Sequence, residues 1–240
     1  MKLKIEQLTY GGDGLARQDG LVWFIPGSAP GDLIEVEETE HKKSYRRGRI
    51  SELLEASPLR VTPPCPWFGR CGGCQWQHIA YSAQLEAKGA ILAESARRAL
   101  RVPVSASRAQ ASPREYGYRN RITLHHQGDS VGYFAGNSRD LVEVGDCMLA
   151  VVEIRQRIRD GVVPGEEYSE LPGRFELRLN DRGPNYTGIV ELIRDPSNAP
   201  FRQANHFANE LLKERLKKAV LERYPHPRIF DLYCGDGNLS

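Results

Sequence analysis

The sequence predicts a multidomain α+β protein, and three observations carry that prediction. Residues 1–57 hold short apolar runs broken by Gly and Pro. Residues 58–195 open on a cysteine-rich loop and then mix one long helical pattern with several alternating runs. Residues 196–240 pass from a helix to a short apolar strand and a Gly-rich turn, the opening of a Rossmann-like sheet. A chain of 240 residues is long enough for more than one core.

In the first segment LKIEQLTY alternates, GGDG (11–14) turns, LVWFI (21–25) reads as a strand, and PGSAPGD (26–32) is a turn-rich loop. LIEVEE (33–38) alternates again and leads through a basic stretch to RISELLEA. Short strands of this kind suggest a small OB-like β-barrel, closed so that no edge is left exposed. Ser57, Pro58 and the pair Pro63-Pro64 mark the boundary that follows. Residues 82–100 form the first strong helix. Ser82 can cap it, Leu85, Gly89, Leu92 and Ala96 share one face, and Pro103 ends it.

Strands return as RITLHH (121–126), SVGYF (130–134), LVEVG (141–145), RFELRLN (174–180) and TGIVELI (187–193), with NSRD (137–140) as a hairpin loop. Asn205 is placed to cap a helix over 206–223, with Phe207, Leu211, Leu216 and Val220 on its apolar side. IFDLY (229–233) is then a buried strand leading into CGDGNLS. A Rossmann-like sheet needs further βα units, so the sequence reads as cut inside its last domain.

Four cysteines are the most chemically informative residues. Cys65, Cys71 and Cys74 stand as C-x5-C-x2-C, and Cys147 follows in VGDCMLA. Three thiols within ten positions exceed what core packing asks for, and Gly72-Gly73 lets the chain wrap closely around a centre. Four thiolates suit either a closed tetrahedral zinc site or an iron–sulfur cluster, and spacing alone leaves both open. Disulfides fit poorly, because Cys234 makes the count five and no signal peptide opens the chain.

The formal charge of +2 is nearly balanced, so net charge does not announce a polyanion. Local charge does. HKKSYRRGR (41–49) holds Lys42, Lys43, Arg46, Arg47 and Arg49 without an acid, and seven arginines lie between Arg97 and Arg121 against the single acid Glu115. Such clusters mark either phosphate-binding surface or a solvated face. The run Glu35, Glu37, Glu38, Glu40 reads as solvated rather than catalytic. His125 and His126 are adjacent on a strand and point to opposite faces, so they do not share a metal. No apolar run approaches the roughly 18 residues a membrane helix needs, and the expected location is cytoplasmic.

Together the pieces resemble the RNA uracil-5-methyltransferase family, S-adenosylmethionine-dependent enzymes that make 5-methyluridine in ribosomal or transfer RNA. GGDGLAR and PGSAPGD resemble its TRAM domain, FRQAN (201–205) its FxQxN segment, and DLYCGDGN (231–238) its cofactor loop. The resemblance implies a TRAM barrel over 1–57, an iron–sulfur central domain over 58–195 whose helix 82–100 packs with the methyltransferase domain, and the N-terminal part of that domain over 196–240. It implies a 4Fe–4S cluster on Cys65, Cys71, Cys74 and Cys147. It assigns Gln203, Tyr233 and Asn238 to S-adenosylmethionine and Phe201 to base stacking. Lys42, Lys43, Arg46, Arg47, Arg119 and Arg121 become candidates for RNA phosphates, the last two within a YRNR-type segment.

In the family mechanism a cysteine thiolate adds to uracil C6, C5 takes the methyl group, a base removes the C5 proton, and the thiolate leaves. The nucleophile and base of the family lie beyond the cofactor loop, so no catalytic residue is expected among the 240, and Cys234 reads as a small apolar filler. The fragment is expected to bind RNA, ribosomal rather than transfer, as a monomer without turnover. The rival reading is a non-catalytic RNA-binding module with a metal centre.

Overall fold

The computed structural model describes residues 1–106, 109–162, 171–180, 188–197 and 202–224. The chain divides into two compact units, Met1–Ala111 and Ser112–Ser240. No helix among the described residues is long and apolar enough to cross a membrane.

In the first unit the alternating runs become β1 (Lys2–Lys4), β2 (Gln7–Leu8), β3 (Gly14–Gln18), β4 (Leu21–Ile25), β5 (Leu33–His41) and β6 (Tyr45–Glu55). They form one sheet of order β1-β5-β6-β4-β3-β2. Alternation buries Leu3, Ile5, Ala16, Trp23, Ile25, Ile34 and Val36 on one side. Gly48 faces the same core, where an added Cβ would stand 2.3 Å from Val36 Cγ1. β1 and β2 are joined directly by Ile5 and Glu6, so one N-terminal segment pairs with β5 at its start and with β3 at its end, and the sheet order begins and ends on that segment.

The helix α1 (Tyr81–Leu100) begins a residue earlier than expected, with Ala80 rather than Ser82 at the cap and no side-chain cap bond. The Gln84 amide instead donates to the carbonyls of Trp76 and Ile79, at 3.0 and 2.9 Å. Only Ala83 and Leu85 of this helix are buried, and Leu92 is exposed, so the expected apolar face holds over the first turns alone.

The second unit holds β7 (Arg121–Gln127), β8 (Ser130–Phe134), β9 (Leu141–Glu143), β10 (Arg174–Leu179) and β11 (Val190–Ile193), an antiparallel sheet of order β11-β10-β7-β8-β9. Ile122, Leu124, Phe175, Leu177 and Leu179 form its core with Ile154 of α2 (Val152–Arg159). That helix lies in a stretch expected to be strand and loop. Val151, Ile154 and Ile158 have helical spacing, but β-branched composition masks it. Asn205 caps α3 (His206–Arg223) as expected, accepting from Ala208 N at 3.0 Å. Its apolar side is not a buried face: Asn209 is the only buried residue, and Leu216 is exposed. The expected strand 229–233 lies outside the described residues.

Candidate functional site

The basic stretch folds into the β5–β6 hairpin, and the register sets it against the acidic run. His41 pairs with Arg46, Glu40 with Arg47 and Glu37 with Arg49. Arg49 meets Glu37 at 2.5 Å, Arg46 meets Glu38 at 3.6 Å, and Lys42 meets Glu40 at 3.1 Å. Arg47 reaches both Glu40 (3.4 Å) and Asp13 (3.1 Å), and it lies 5.8 Å over the Phe24 ring, which packs edge-on against Tyr45. Burial raises the Asp13 pKa, against the pull of Arg47. Glu37, Glu38 and Glu40 are therefore internal counterions rather than a merely solvated run. Lys43 is exposed and has no acidic partner among the described residues.

The thiol loop is anchored in the same unit by a polar knot. Asp32 is fully buried, and accepts from Ala29 N (2.6 Å), Ser57 N (2.9 Å), Arg60 Nε (2.8 Å) and Arg60 Nη2 (2.7 Å). Trp76 Nε1 donates to Gly12 O at 2.9 Å, and Ile79 and Ala83 pack on Leu8 and Ala29. PGSAPGD is thus a structural turn, and GGDG seats the far end of the loop. Cys65, Cys71 and Cys74 are half-buried and in no disulfide. Phe68 N bonds to Cys65 O and Cys71 N to Trp67 O, and Gly73 N–H points at Cys71 Sγ (3.4 Å). An N–H aimed at sulfur is how a protein stabilises a ligating thiolate. Donor chemistry therefore fits a metal centre. The positions do not make a ready cage, since no group of three or more His, Cys, Asp or Glu side chains is placed to hold a metal among the described residues.

In the second unit Cys147 packs against the core near Tyr133, whose hydroxyl lies 3.7 Å from its sulfur. Arg121 lies 3.7 Å from the buried Glu176, which also pairs with the buried Arg178 at 2.5 Å. The Arg121 charge is thus committed to a structural pair. Arg119 is half-buried and bridges to Ala150 and Asn205, while Asn120 N bonds Ala204 O at 3.0 Å. These contacts fix the entry to α3. Gln203 lies just before it, exposed, and Asn205 is held by Ser112 Oγ at 3.0 Å. The asparagine of FRQAN is therefore a helix cap. Phe201, Tyr233, Cys234 and Asn238 lie outside the described residues.

Sequence reasoning missed a second feature of this sheet. His125 and Phe134 stack at 3.8 Å and 20°, beside a polar depression of about 380 Å³ lined by Gln127, Ser130, Arg139, Asp140, Leu141 and Glu143. Polar residues at alternate positions of two adjacent strands were the available signal.

Residues 1–50 match the model of the TRAM domain. A Bdellovibrio bacteriovorus protein named as an uncharacterized RNA methyltransferase is 35% identical over all of this chain and 61% of its own length. The 23S rRNA uracil-1939 C5-methyltransferase RlmD of Shewanella amazonensis is 38% identical over 80% of this chain and 42% of its own. The chain thus spans about three fifths of the first relative and less than half of the second. The crystal structure of the tRNA uracil-54 C5-methyltransferase of Pyrococcus abyssi with S-adenosyl-L-homocysteine matches with a TM-score of 0.62 at 23% identity. That match covers 100% of this chain and 69% of the other, and it is a likeness of fold.

Proposed function

We infer, from this chain's homology to the RNA uracil-C5 methyltransferases, that the whole protein transfers a methyl group from S-adenosylmethionine to C5 of a uracil in structured RNA, 23S ribosomal RNA rather than transfer RNA. The observation that carries this reading is the 38% identity to the 23S rRNA uracil-C5 methyltransferase over 80% of the chain. In it, residues 1–57 bind RNA, 58–195 hold the thiol centre and 196–240 begin the cofactor domain of a cytoplasmic monomer.

The residues take the following roles in this reading. Lys43 offers an uncommitted cation to an RNA phosphate, and Lys42, Arg46 and Arg47 join it by exchanging carboxylates for phosphates. Arg119 and Arg121 lie in the second unit's RNA face, where their internal bonds make them positioning residues more than free charges. Phe201 stacks a base, and Gln203, Tyr233 and Asn238 bound the cofactor, which supplies the methyl group as an electrophile when present. Cys65, Cys71, Cys74 and Cys147 would hold a 4Fe–4S cluster as a structural crosslink; this rests on the family resemblance and on the Gly73 N–H directed at Cys71.

The test is transfer of radiolabelled methyl from S-adenosylmethionine to a 23S rRNA transcript by a chain extended through a nucleophile and a base. Residues 1–240 alone are expected to transfer none, because the resemblance places neither group among them. Labelled 5-methyluridine from the extended chain supports the reading; its absence with both RNA and cofactor bound overturns it.

A further inference from the structure

The depression in the second unit has a simple origin in the register. His125 faces Gly132, Gln127 faces Ser130, Gly132 faces Glu143, and Phe134 faces Leu141, so all seven positions lie on one face of the β7-β8-β9 sheet. The middle strand presents small residues, Ser130 and Gly132, between longer ones on both neighbours. Gly132 admits nothing larger, since an added Cβ would stand 2.0 Å from Val142 O. A trough of about 380 Å³ results.

Its walls differ in chemistry. At one end the stacked His125–Phe134 pair lies next to Leu141 on the same face of the sheet. Burial, with help from the Arg174 charge, holds the His125 pKa below its usual value, so this end is an uncharged aromatic surface at neutral pH. Along the sides stand the Glu143 carboxylate and the Gln127 amide. Glu143 and the guanidinium of Arg139 make no ion pair among the described residues, and Asp140 is occupied by Ser138 Oγ at 2.9 Å. Aromatic edge, carboxylate acceptor and outer cation together match one nucleotide of a single strand: a ring to stack, an amine to receive, a phosphate to pair.

We propose that this trough binds one amino-bearing nucleobase, cytosine or adenine, from a single-stranded stretch of the RNA, with Glu143 accepting from the exocyclic amine and Arg139 on the adjoining phosphate. The inference rests on the RNA reading above and adds a nucleotide other than the methylated one. Uracil has no exocyclic amine, so the site discriminates against the base that is modified.

The experiment measures fluorescence anisotropy of labelled oligocytidine and oligouridine dodecamers with the 240-residue chain at fixed salt. Oligocytidine is expected to bind roughly 5- to 10-fold more tightly, the value of one good base contact. Glu143→Val should abolish that preference, and Ser130→Leu, which fills the trough, should abolish it and weaken both oligomers. Arg46→Ala with Arg47→Ala should weaken both alike and keep the preference. Circular dichroism confirms that each variant is folded. Equal binding of the two oligomers by the unaltered chain, or an unchanged preference in both folded trough variants, overturns the proposal and leaves the RNA reading standing. No binding of either oligomer also overturns the proposal, and the RNA reading is then decided separately by methyl transfer from the extended chain.

Discussion

Asp32 shows how much one residue can decide. Its carboxylate is fully buried, and burial alone would raise its pKa. The Arg60 guanidinium and the N–H groups of Ala29 and Ser57 outweigh that, and the net shift is downward. A depressed carboxylate stabilises the fold above its unfolded pKa near 4, and that contribution is lost as pH falls through the lower folded value. Asp32→Ala strands Arg60 and two N–H donors, so it should cost about 3 kcal/mol at neutral pH. Urea unfolding between pH 7 and pH 3 checks both points. The variant should be less stable at pH 7, and its stability should fall less steeply below about pH 4.

At the scale of elements, the β5–β6 hairpin carries five cations and their own counterions. A phosphate that binds here displaces a carboxylate as well as salt, so fewer ions are released than the cation count implies. Glu38→Gln with Glu40→Gln should therefore tighten binding to a nonspecific RNA and steepen its salt dependence, by up to about one unit of slope per freed arginine. Arg46→Ala with Arg47→Ala should do the reverse. Titrations at several salt concentrations decide it, and identical slopes in all three proteins would make the hairpin a purely structural ladder. In the second unit, α2 is held through Ile154, which is fully buried. Ile154→Ala should cost about 2–5 kcal/mol, the range for a deleted core side chain, read as a lowered melting temperature.

For the whole molecule, the proposed cluster would draw its ligands from positions far apart in sequence, Cys65, Cys71 and Cys74 and then Cys147. Anaerobically purified protein should be brown and carry iron with acid-labile sulfide. Cys147→Ser should lose both and unfold at lower temperature, because a cluster bound only by the native state stabilises it. A colourless wild-type protein containing zinc would replace the cluster with a tetrahedral zinc site, and a variant with full iron content would remove Cys147 from the ligand set.

The alternating runs of β7, β8 and β10, the Asn205 cap and the spacing of three thiols could all be read directly, because each follows from local periodicity or local hydrogen bonding. α2 escaped because its β-branched residues resemble a strand until Ile154 meets the sheet core. That the two ends of the first sheet meet on one N-terminal segment is a property of the assembled sheet, which no local run of residues shows. The site residues divide in the same way. Charge clusters and cysteine loops are visible as composition, so the sequence by itself determined which chemistry the chain carries. Tertiary structure decided how that chemistry is committed: register placed Glu37, Glu38 and Glu40 against the basic strand, Glu176 near Arg121 of the neighbouring strand, and small residues between long ones in the trough. Partnership across strands depends on pairing between distant segments, and no local pattern encodes which residue of one strand faces which residue of the next.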